Sequence, residues 1–132
     1  MQIMVPEFIK KIYRLLPFKL LLFSLLKKFY VPSFYKFLPV KGIIKLYWDR
    51  NQYFKIFCDY NLFMENELFW LGFNGGWEKK SLEVWVKLCK HCSTIFDIGA
   101  NSGIYSLVAQ SVNPEAEIFA FEPIPGNHFR RP

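Results

Sequence analysis

The chain has 132 residues, 52% apolar and 20% aromatic, the length of one domain or most of one. With that much core-forming material it is not an intrinsically disordered protein. The net charge of +6 is uneven: residues 1–46 carry nine Lys/Arg against Glu7, a net +8, and residues 47–132 carry a net −2. A nucleic-acid partner is therefore not expected, and the basic excess reads as a local contact surface.

Residues 7–30 read EFIKKIYRLLPFKLLLFSLLKKFY. The apolar run from Leu20 to Leu26, set between Lys19 and Lys27-Lys28, is far shorter than the about 20 residues a spanning helix needs. One or two basic amphipathic helices are expected, broken near Pro17 and followed by the Pro-punctuated connector VPSFYKFLP. Residues 1–41 thus form a basic helical extension. Either it packs on the rest of the chain with its lysines solvated, or residues 7–30 dock on an anionic membrane surface. Cys58, Cys89 and Cys92 form no even disulfide framework, and no cleavable signal pattern is evident. The expected setting is cytoplasmic, peripheral at a membrane if the extension docks there.

From residue 42 the texture changes. IIKLYW and YFKIFC are β-branched and aromatic runs separated by DRNQ, which predicts a hairpin within residues 42–73. NLFMENELFWLGF is expected to continue as strand or strand plus turn. Leu82, Trp85, Val86 and Cys89 then fall on one stripe, predicting a helix over 79–90 with Ser81 helping to cap its start. Over residues 93–122 the pattern is strand, glycine loop, helix and strand. STIFDIG closes the first strand, Ile104, Leu107, Val108 and Val112 mark the helix, and AEIFAFEP reads as a second buried strand. That order describes a βαβ unit, hence an α/β fold with a parallel sheet.

The chemistry lies in Asp97-Ile98-Gly99-Ala100-Asn101-Ser102-Gly103. Gly99 permits the turn off the strand, and Gly103 would let the next helix approach a ligand or the sheet. Open amides at that helix start suit a carboxylate or phosphate. Yet Asn101 stands where a dinucleotide fingerprint has its middle glycine, and the Asp97 carboxylate would repel a pyrophosphate. Glu122 stands 19 residues after Gly103, at the end of the next strand, where a carboxylate can accept bonds from both ribose hydroxyls. A nucleoside with a cationic tail and no phosphate fits these acids, and S-adenosylmethionine is such a ligand.

The stretch GGWEKKSLEVWVKLCKHCSTIFDIGANSGIYSLVAQ, followed by AEIFAFEP, resembles the FkbM-type family of S-adenosylmethionine-dependent methyltransferases. Its motif D-[IV]-G-A-N-x-G-x-[YF]-[ST] is matched from Asp97 to Ser106, its F-E-P by Phe121, Glu122 and Pro123, and its G-x-[YFW]-E by Gly75, Gly76, Trp77 and Glu78. The resemblance covers about residues 72–125 and implies a Rossmann-like, doubly wound sheet. It implies that Asp97, Gly99, Asn101 and Gly103 surround the methionine half of the cofactor, that Ala100 also belongs to the binding loop, and that Glu122 holds the ribose. The implied activity is O-methylation of a sugar or other small hydroxyl acceptor, with no metal.

A complete enzyme of that family has about seven strands. Residues 42–132 are therefore expected to be an incomplete methyltransferase domain, carrying the cofactor half and no identifiable catalytic base. The alternative is a non-catalytic product acting through its basic N-terminus on a membrane or partner. The lone C-x-x-C of Cys89 and Cys92 has no second pair for zinc and precedes a strand, unlike a thioredoxin-type motif. His128 in the tail has the chemistry of a general base but no motif around it.

Overall fold

The runs IIKLYW and YFKIFC pair as an antiparallel hairpin in the computed structural model, which describes residues 18–29, 35, 38–59, 63–76 and 78–124. Strand β1 is Gly42–Tyr47 and β2 is Tyr53–Cys58, in register from Gly42 opposite Cys58 to Tyr47 opposite Tyr53. The Trp48 N–H donates to the Gln52 carbonyl at 3.2 Å and closes the turn. Period-two alternation sends Ile44, Leu46, Phe54, Ile56 and Cys58 inward and leaves Lys45, Tyr47, Tyr53 and Lys55 in water.

The chain divides into two units, Met1–Val31 and Pro32–Pro132. In the first, a helix over Lys19–Leu26 bears out part of the helical expectation for residues 7–30. The break near Pro17 and most of the connector lie outside the described residues. Among the described residues, no helix is long and apolar enough to cross a membrane.

In the second unit the hairpin is followed by helices at Phe63–Leu71 and Lys79–Cys89, strand β3 at Thr94–Ile98, a helix at Ile104–Val112 and strand β4 at Glu117–Phe121. Numbered with the first unit's helix as α1, these helices are α2, α3 and α4. Helix α2 corrects the strand expected from NLFMENELFWLGF. Met64, Glu65, Glu67 and Leu68 favour helix, and Glu65 through Trp70 are all buried. A helix covered on every side has no polar stripe, so its sequence lacks a helical period. Its polar groups are tied locally. The Tyr35 hydroxyl donates to Glu67 Oε1 at 3.2 Å, Asn66 Nδ2 donates to the Tyr35 carbonyl at 3.2 Å, and Trp70 Nε1 donates to the Leu38 carbonyl at 3.1 Å.

Two oxygens differ: among the described residues, neither Glu65 Oε1 nor Asn66 Oδ1 accepts a hydrogen bond, and Glu65 is only 2% exposed. A buried carboxyl oxygen left without a hydrogen bond costs about 1–3 kcal/mol, whereas an apolar side chain of similar volume carries no such cost. Glu65→Met is therefore expected to raise stability by about 1–3 kcal/mol, read as a higher urea midpoint at unchanged slope. A lowered midpoint would reveal a cationic partner for Glu65.

Helix α3 buries Leu82, Val86 and Cys89 as its stripe predicts. Its cap is Glu78, whose side chain makes no capping bond to the helix amides, and Ser81 sits exposed inside the first turn, so Ser81 is not the cap. Strands β3 and β4 are parallel, Thr94 beside Glu117 and Ile98 beside Phe121, as the βαβ order requires. Among the described residues the fold is thus mixed α/β, with one antiparallel hairpin and one parallel pair.

Helix α4 is the centre of this unit and packs on α3, β2, β3 and β4. Its inward residues Ile104, Val108 and Ala109 are buried completely or nearly so. Cys89, Ile95, Ala109 and Ala116 form a core joined by Trp85, Cys92, Val112 and Ile118. Asn113 Nδ2 donates to the Cys89 and Cys92 carbonyls, each at 2.9 Å, and pins the end of α3 to the end of α4. The second strand is not buried as expected. The helices cover only one face of the parallel pair, and Phe96, Ile98, Phe119 and Phe121 are exposed on the other.

Candidate functional site

The candidate site forms where β3 and β4 end and α4 begins. Asp97 is the fourth residue of β3, and alternation along the strand turns it inward beside Ile95, leaving it 8% exposed. Ser106, on the first turn of α4, donates from Oγ to Asp97 Oδ2 at 2.6 Å. Asp97 is therefore a largely buried carboxylate whose orientation is fixed through Oδ2.

The loop after Asp97 is set by its backbone. Gly99 and Gly103 both have φ 80°, and Asn101 has φ 49°. Positive φ is open to glycine and tolerated by asparagine, which accounts for these residues at these positions. A Cβ added at Gly99 or Gly103 would meet nothing within 4 Å. Gly103 is thus required by its dihedral angle, not by close approach of helix and sheet, and open space lies over both glycines. The Gly99 and Ala100 amides donate to the Phe121 carbonyl at 2.8 and 2.9 Å, continuing the β3–β4 ladder past the strand end. Helix α4 starts at Gly103 without a side-chain cap.

Glu122 follows β4 directly. Its Oε2 accepts from the Asn101 amide at 2.7 Å and its Oε1 from the Ile124 amide at 2.9 Å. The residue expected to hold a ribose therefore also ties the glycine loop to the second strand. All six sequence-predicted site residues, Asp97, Gly99, Ala100, Asn101, Gly103 and Glu122, lie together at the carboxyl ends of the parallel strands, the side on which α/β sheets bind ligands.

Three further residues belong to this neighbourhood. The Tyr105 hydroxyl donates to Glu78 Oε2 at 2.7 Å, and the Tyr105 carbonyl accepts from Trp85 Nε1 at 2.9 Å. Burial, then the Glu78 carboxylate, push the Tyr105 hydroxyl up to about 12, so it stays a donor at neutral pH. Glu78 from the G-x-W-E element and Tyr105 and Ser106 from the glycine motif thus form one linked set. Trp77 and His128 lie outside the described residues.

Cys58 and Cys89 are buried and chemically quiet. Burial, and then the neighbouring Glu65, push the Cys58 thiol up to about 12, while burial and Cys92 push Cys89 up to about 11. Among the described residues no group of His, Cys, Asp and Glu is arranged to hold a metal. A shallow groove of about 250 Å³ lies between Trp48, Phe73 and Val86 and is lined by none of the six predicted residues. Comparison with protein families, curated proteins and solved structures gave no match.

Proposed function

We propose that residues 72–125 are the cofactor-binding part of a Rossmann-like, S-adenosylmethionine-dependent methyltransferase of the FkbM type. The acceptor would be a hydroxyl oxygen of a sugar or another small molecule. The observation that carries the proposal is a pair of carboxylates, Asp97 and Glu122, at the ends of adjacent parallel strands on either side of a glycine loop.

The ligand's features match this set one by one. A cationic methionine end fits the charge of the Asp97 carboxylate, held in place by Ser106. Its carboxylate fits the uncapped start of α4. Open space over Gly99 and Gly103 leaves room for its backbone-facing side. Ribose hydroxyls fit Glu122 if they replace or share the bond to the Asn101 amide. When bound, S-adenosylmethionine supplies a methyl group already activated for displacement. The chain's part is to hold and align that group, since proximity is the main lever for such a transfer. A pyrophosphate, by contrast, meets like charge at Asp97.

The test is a titration followed by amide chemical shifts. S-adenosylmethionine is expected to shift Gly99, Asn101 and Gly103 with a Kd of about 1 mM, equivalent to about −4.1 kcal/mol. NAD⁺ and ATP are expected to leave the same amides unmoved. Equal or stronger shifts with NAD⁺ would replace the methyltransferase proposal with a dinucleotide site, and no shift with any of the three would end it.

A further inference from the structure

Methyl transfer makes no use of α1. Phe18, Leu21, Leu22, Leu25 and Phe29 recur at intervals of three and four residues, so they fall on one face of the helix and the turn that follows it. All five are exposed, Phe18 at 80%, Leu22 at 62% and Phe29 at 88%, with Leu26 exposed beside them. Contiguous apolar patches of this kind mark contact surfaces.

Charge identifies what the stripe contacts. Lys27 and Lys28 follow the helix directly and just precede Phe29; Lys10, Lys11 and Arg14 precede the stripe in sequence, and residues 1–46 carry the net +8. A second copy of the stripe would bring the same lysines face to face, and like charges at close range disfavour that pairing. An anionic phospholipid surface satisfies both halves, with Leu and Phe below the headgroups and lysines at the phosphates. Eight helical residues measure about 12 Å, enough to lie in the interface and far too short to cross it.

We propose that residues 18–29 are a peripheral anchor for anionic membranes. The anchor is independent of the methyltransferase proposal, because none of the six cofactor-site residues lies in this unit.

Vesicle flotation of the full chain tests it, since flotation separates bound protein from aggregate. The chain is expected to float with phosphatidylcholine vesicles containing phosphatidylglycerol at low salt. It should stay down with phosphatidylcholine alone, and in about 1 M salt, where screening acts within about 3 Å. Lys27→Gln with Lys28→Gln should weaken partitioning about 25-fold, about fivefold per lysine. Leu21→Ser, Leu22→Ser and Leu25→Ser together should weaken it at least about tenfold. Lys55→Gln with Lys87→Gln, an equal charge change elsewhere, should leave it unchanged. The proposal is overturned by absence of flotation on the anionic vesicles, by equal flotation on neutral ones, or by equal loss in the Lys55/Lys87 control. Oligomers that form without lipid and vanish in the triple Leu→Ser variant, with no flotation, would assign the stripe to a protein partner instead.

Discussion

Asp97→Asn is expected to abolish S-adenosylmethionine binding while leaving the fold intact. Asparagine keeps the shape of the side chain and an oxygen that can accept from Ser106 Oγ, now 2.6 Å from Asp97 Oδ2. What is lost is the charge, together with the second acceptor oxygen, which becomes an NH2 donor. A hydrogen bond to a charged group contributes about 1.5–3 kcal/mol, so binding should weaken at least about tenfold and leave the measurable range. Ser106→Ala separates orientation from charge. It frees Asp97 without neutralising it and should weaken binding only about fivefold, the worth of one ordinary hydrogen bond. Glu122→Ala acts differently, since it also removes the acceptor of the Asn101 amide. Faster hydrogen exchange at Asn101 should accompany its loss of binding, a change neither of the other two variants produces. If Asp97→Asn bound the ligand as the unaltered chain does, Asp97 would be a structural partner of Ser106 and nothing more.

How much of this was legible in the sequence depended on how many sides of each element are covered. Helix α3 has one buried face, so Leu82, Trp85, Val86 and Cys89 wrote its period plainly. The hairpin has one buried face too, and the alternation in YFKIFC matched its burial. Helix α2 is enclosed all round, buried Glu65 and Glu67 included, and its sequence reads as an aperiodic mixture. Strand β4 failed in the opposite sense. An apolar run states that a strand is suited to cover, not that full cover is present, and Phe119 and Phe121 are left 44% and 49% exposed.

The site divides in the same way. Asp97, the glycines and Glu122 were visible because a turn and two strand ends impose residue types at fixed spacing. The bond from Ser106 to Asp97 was not, because it depends on how α4 is rotated against β3. Nor was the bond from Tyr105 to Glu78, which joins residues 27 positions apart along the chain. The motif nevertheless held the signal. Its last two positions call for an aromatic residue and then Ser or Thr, and here Tyr105 and Ser106 each bond to an acid at the strand or helix beneath.

The uncovered face of the parallel pair leads to the other large expected effect. Phe96 stacks on Phe119 with ring centres 5.4 Å apart and on Phe121 at 6.4 Å, forming a ladder across the two strands. Phe96 is 59% exposed and Ile98 beside it 75%. Parallel sheets are normally covered on both faces, and strand edges left open are templates for further pairing. The chain is therefore expected to self-associate as concentration rises and to bind the dye ANS in its folded state. Phe96→Thr, Ile98→Thr and Phe119→Thr keep the β propensity of the strands but remove three large apolar groups from the face. Covering such a side chain is worth about 1.5–3 kcal/mol, so the triple variant should weaken association by at least about 100-fold. Its far-ultraviolet circular dichroism should stay the same, because the core of Cys89, Ile95, Ala109 and Ala116 lies on the other face. Sedimentation velocity across a concentration series reads the first effect, and ANS fluorescence reads the second. A monomer at every concentration with no ANS signal would mean that the ladder is already covered in solution. The triple variant would then lose stability instead, and its urea midpoint would separate the two cases.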